Sequence, residues 1–132
     1  MPAKPFTYKK LFLIDGLGAL LSAFLLGVVL VRFQSTFGIP VNTLYLLAAT
    51  PVVFAFYDLY CYFSQPKNPA PFLKAIAFAN LAYCVLSLAL AYSHQQELTL
   101  LGWAYIVGEV FIVVGLAIFE LRFAGSKNTT PG

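Results

Sequence analysis

The sequence predicts an all-α integral membrane protein: a bundle of four transmembrane helices with both termini cytoplasmic. Three observations predict it. Hydrophobic residues make up 61% of the 132-residue chain and charged residues only 10%, against roughly 25% charged in an ordinary globular domain. Four apolar segments, at about 11–31, 44–63, 72–92 and 98–119, each approach the ~20 residues that a helix needs to cross the hydrocarbon core. These runs are continuous, whereas barrel strands alternate apolar and polar positions over about ten residues. Finally, Lys and Arg are spread unequally over the connections, and the richer side is the cytoplasmic one.

The elements follow in order. Helix 1 (11–31) is preceded by Lys4, Lys9 and Lys10. These resemble the basic flank of a signal peptide, but the apolar run exceeds the usual ~7–15 residues and no A-x-A site ends it. A retained helix is expected. It reads "DGLGALLSAFLLG" from Asp15, with Ala19, Ala23 and Gly27 four apart and Gly18 four before Ser22. Such rows of small residues let helix backbones approach closely, here by packing within the chain. After the connection 34–43, helix 2 (44–63) carries Pro51 at its centre, which frees the carbonyl of Leu47 from its helical bond. Tyr57, Tyr60 and Tyr62 near its end form an interfacial belt with Trp103 of the last segment.

The proline-rich connection 64–71 leads into helix 3 (72–92), which begins with Lys74 and carries Asn80, Cys84, Ser87 and His94 on one stripe, with Tyr83 beside it. Helix 4 (98–119) follows the loop 93–97. It carries Ala104, Gly108 and Gly115 on one stripe, and Glu109 and Glu120 on one face. That glycine stripe is open to packing within the chain or to a second copy or another membrane protein. A polar tail is expected over 123–132, and the whole chain forms one four-helix domain, 1–132.

Lys4, Lys9, Lys10, Lys67, Lys74, Arg122 and Lys127 fall on one side of these spans and only Arg32 on the other. Seven against one places both termini in the cytoplasm, expected of a multi-pass protein of a bacterial inner membrane. The net charge of +3 thus reflects topology, and no basic patch with interleaved aromatics points to a nucleic acid. The bilayer itself is the expected partner. Cys61 and Cys84 lie at depths differing by well over 10 Å at ~1.5 Å per residue, so neither a disulfide nor a metal site is expected, and no cofactor is implied.

Glu109 stands out. It lies near the midplane, where a charge costs ~2.5–3.5 kcal/mol on insertion scales. The thirteen Leu, Ile, Val and Phe residues of Leu98–Phe119 supply very roughly 4–8 kcal/mol in return. Insertion is therefore feasible, with the acid facing the interior and hydrogen-bonded. At the same depth lie Ser22, Thr50 with Pro51, and Tyr83 with Cys84; with Asn80 these make up the expected polar core. Nearer the cytoplasmic mouth, Asp15, Asp58, Lys74 and Glu120 form an expected charge cluster, with Lys74 pairing Asp15 or Asp58.

No catalytic motif is present: no H-E-x-x-H, G-x-S-x-G or P-loop. Helix number and a membrane-embedded glutamate are shared with small multidrug resistance transporters, whose glutamate lies in the first helix; helix 1 here has Asp15 instead. Dual-topology fluoride channels are of similar length but need balanced flanking charge. Two functions are compatible with the sequence. The first is a non-catalytic bundle, either an accessory or assembly subunit or a lipid-interacting protein, with Glu109 as a structural acid. The second is a small solute or proton-coupled transporter with Glu109 as its titrating centre.

Overall fold

A computed structural model describes residues 7–64 and 67–125. Lys4, Lys127 and the tail beyond Gly125 lie outside the described residues. The described chain is all-helical, with four helices long and apolar enough to cross a membrane: Tyr8–Arg32, Val41–Ser64, Ala70–Ser93 and Leu100–Gly125. A short helix, Gln34–Phe37, lies in the first connection.

Local chemistry sets the limits of these helices. Thr7 caps helix 1, its hydroxyl accepting from the Lys10 amide at 3.2 Å. Helix 4 starts at Leu100 because Thr99 caps it, accepting from the Gly102 amide at 3.1 Å. At its other end helix 4 continues through Gly125, so the polar tail does not begin at 123. Phe123 and Ala124 pack there against the core at the terminal end, and Tyr8 meets Phe123 edge-on at 4.9 Å. Helix 2 runs unbroken through Pro51. Helix 1 departs from α-geometry over Leu25–Val29, which is wound as π-helix, the Leu30 amide reaching the Leu25 carbonyl five residues back.

Helix 1 packs along helix 2, and helix 4 along helix 3; no comparable packing joins helix 1 to helix 4. Small residues explain the first contact. A Cβ on Gly16 would sit 3.2 Å from Cβ of Asp58, and one on Gly27 would sit 3.2 Å from Cβ of Ala48. Gly18, Gly108 and Gly115 have nothing within 4 Å of such an atom. They leave room and do not pack.

Two apolar cores close the bundle at its ends. Leu11, Phe12, Cys61, Leu73, Ile76 and Ala124 form one, near the termini. Leu26, Leu30, Leu44, Leu47 and Ile106, with their neighbours, form the other. Between them helix 1 has no buried residue from Leu17 to Leu25, and helix 4 has none from Val110 to Leu116. The bundle is therefore loosest at mid-height, between helices 1 and 4.

The end opposite the termini is clasped. Gly38 closes the short helix in the left-handed conformation, φ 77°, and donates to the Gln34 carbonyl at 2.7 Å. Any side chain there would strike the backbone of Glu97 and Thr99. Thr99 donates its hydroxyl to the Thr36 carbonyl at 2.6 Å and its amide to that of Phe37 at 3.1 Å. His94 lies 3.2 Å from the Thr43 hydroxyl and 3.1 Å from Glu97.

Candidate functional site

A cavity of about 380 Å³ occupies the loose middle of the bundle. Its walls are mainly apolar, with Leu21 and Leu25 from helix 1, Phe54 from helix 2, and Ile112, Val113 and Leu116 from helix 4. Gly18 and Gly108 line it from opposite sides, where helices 1 and 4 fail to meet. Its polar groups are few and specific: Asp15, Ser22, Asn80, Tyr83, Tyr105 and Glu109.

Glu109 is 8% exposed, and three hydroxyls converge on its carboxyl. Ser22 of helix 1 lies 2.6 Å from Oε2. Tyr83 of helix 3 lies 3.2 Å from both oxygens, and Tyr105, one turn back on helix 4, lies 3.5 Å from Oε2. A hydroxyl can accept from a neutral carboxyl or donate to an ionised one, so the same cradle serves both forms.

The second group, three acids and one amide, draws one side chain from each long helix: Asp15, Asp58, Asn80 and Glu120. Asn80 donates to Oδ1 of Asp15 at 2.9 Å. The carboxyls of Asp58 and Glu120 both abut that of Asp15, yet their oxygens, and Oδ2 of Asp15, have no N–H or hydroxyl donor. Two carboxyls can bond each other only through a proton that one of them carries. Ser87, also buried without a partner, belongs to neither group.

The polar residues therefore sort differently from the depth count. Ser22 and Tyr83 join Glu109 as expected. Thr50 does not: its hydroxyl bonds the Leu46 carbonyl of its own helix at 3.2 Å, the usual outlet for a helical threonine. Asn80 belongs with the acids, one turn away from Tyr83. Tyr105 is a member that the depth count missed, although its i,i+4 spacing from Glu109 was visible. Lys74 leaves its cluster. It is exposed, and among the described residues the one ion pair is His94–Glu97. The buried stripe of helix 3 runs through Leu73, Ile76, Ala77 and Asn80. Lys74 lies one residue off that stripe, about 100° around the helix, and extends outward.

Among the described residues no group of three or more His, Cys, Asp or Glu side chains is disposed to hold a metal ion. Cys61 and Cys84 are both free and buried.

By fold and site this is a bundle of four helices long and apolar enough to cross a membrane, with an acid-lined cavity at its centre. Comparison with protein-family models, curated proteins and solved structures finds no match.

Proposed function

We propose that the chain is a multi-pass membrane protein, termini cytoplasmic, that takes a small solute into the central cavity and exchanges it there against a proton on Glu109. The supporting observation is that Glu109 forms part of the wall of a cavity and is not sealed in a packed interface. A purely structural acid needs hydrogen-bond partners but no adjoining space. The cavity volume falls within the ~300–1,000 Å³ range of small-molecule sites, and few polar groups in an apolar lining is their usual make-up.

Helix 1 gives this reading a moving part. A single π-turn inside an α-helix shifts the register of everything beyond it and frequently marks functional sites. Here that turn contributes Leu25 to the cavity wall and begins three residues after Ser22, which spans the gap to Glu109. The lack of apolar packing between helices 1 and 4 leaves hydrogen bonds as the main ties across that gap, and hydrogen bonds between membrane helices contribute only about 0.6 kcal/mol on average.

The test is proton flux into reconstituted vesicles carrying a pH-sensitive dye, measured against a panel of candidate solutes. Wild-type protein is expected to show solute-dependent flux, and Glu109→Gln, which keeps the shape but cannot titrate, is expected to lose it. Unchanged flux in Glu109→Gln would instead favour a non-catalytic accessory bundle.

A further inference from the structure

We propose that the solute is a small amphipathic organic cation, entering sideways from the lipid between helices 1 and 4. This rests on the reading of the cavity as a binding site and adds the ligand's charge, its apolar body and its route.

Charge is the first argument. Asp15, Asp58, Glu109 and Glu120 are all buried, while Lys9, Lys10, Arg32, Lys67, Lys74 and Arg122 are all exposed. Among the described residues no buried base balances the buried acids. The acids are also not equivalent. Asp15 and Glu109 line the cavity and have donors: Asn80 serves the first, and Ser22, Tyr83 and Tyr105 serve the second. Asp58 and Glu120 do not line it. Donors are thus supplied to the carboxyls that a ligand would meet, where they support an ionised oxygen. An anion in this cavity would meet two carboxyls and no positive charge. A cation would meet its counter-charge.

The walls supply the second argument. Apart from these groups the lining is aliphatic and aromatic, and Phe54 and Tyr83 present their rings edge to face at 6.3 Å. A strongly hydrated metal ion would gain little from such walls, whereas an organic cation can bury its apolar part there. The route is the third argument. Gly18 and Gly108 leave open space on the two facing helices, and Leu21 and Ile112 at the same opening are 59% and 73% exposed. When a cation arrives, the Glu109 proton leaves to water and one positive charge replaces another. The titratable groups around Glu109 are Tyr83 and Cys84 on helix 3, Tyr105 on helix 4 and, across the cavity, Asp15 on helix 1; helix 2 offers Pro51 and Phe54 there.

Benzyltrimethylammonium and its neutral isostere neopentylbenzene differ in charge but hardly in shape, and calorimetric titration of each into nanodisc-embedded protein is the test. The cation is expected to bind more tightly by roughly tenfold or more, with benzenesulfonate giving no heat. Glu109→Gln should erase that preference, and Gly108→Leu, whose Cβ would have nothing within 4 Å and whose longer side chain would occupy the opening, should block both ligands. Equal affinity for cation and isostere in wild-type protein would overturn the charge assignment. If Gly108→Leu still abolished binding, the cavity would stand as the site. Binding of either ligand that is indifferent to Gly108→Leu would overturn the cavity reading itself. The wild-type comparison needs no variant, so a misfolded mutant leaves the charge question decidable.

Discussion

A carboxyl group buried in the middle of a long apolar helix is tolerable only where its hydrogen-bonding capacity is met, and Glu109 meets it with three hydroxyls from three helices. Glu109→Gln retains acceptor and donor in the same space. The variant is expected to fold and to lose no more than about 1 kcal/mol, the scale of one net hydrogen bond, by thermal unfolding in detergent. Asn80 is less replaceable. Among the described residues it is the amide that serves the Asp15 cluster, and Asn80→Leu would leave a carboxyl oxygen without its donor beside two further acids. That change is expected to cost about 1–3 kcal/mol. If Asn80→Leu were as stable as wild type, the cluster would have to draw its donors from elsewhere. Lys74→Ala serves as the control, because its side chain is exposed and should leave stability within about 0.5 kcal/mol of wild type. At this scale the sequence singled out acids that are buried but did not give their company. Depth follows from counting residues along a helix, whereas the partner of Asn80 depends on how far helix 3 is rotated against helix 1.

Among the elements, the glycines separate into two kinds that sequence spacing cannot distinguish. Gly16, Gly27, Gly38 and Gly102 sit where another group already fills the space. Gly18, Gly108 and Gly115 face open space. Gly102→Ala would place a methyl on the Phe37 carbonyl oxygen and press the start of helix 4 off the first connection. It is expected to destabilise by about 1–3 kcal/mol, as overpacking does. Gly108→Ala should be neutral or slightly stabilising, since alanine is favoured over glycine within a helix by up to ~1 kcal/mol. Parallel unfolding of the two variants checks the pair; equal effects would mean that the clasp between the first connection and helix 4 is not formed. The π-turn of helix 1 was likewise invisible beforehand, because "LLGVV" contains no residue that demands it.

For the molecule as a whole, the proposed orientation rests on Lys and Arg. Reporter fusions at residue 132 and within 93–97 are expected to report cytoplasm and exterior respectively. A C-terminus found outside would invert the proposed sidedness and turn the Asp15, Asp58 and Glu120 end of the bundle toward the exterior.

The sequence by itself determined that four helices would form and roughly where each begins and ends, since length and continuous hydropathy act along the chain. It also determined that Glu109 would be buried and would need partners. Only the tertiary structure decided that helix 1 packs on helix 2 but stands apart from helix 4, and this spacing makes the cavity. Hydropathy is nearly uniform around these helices, so it cannot set their rotation or their neighbours. Those depend on which small residues let two backbones approach and on which polar groups find each other across the gap.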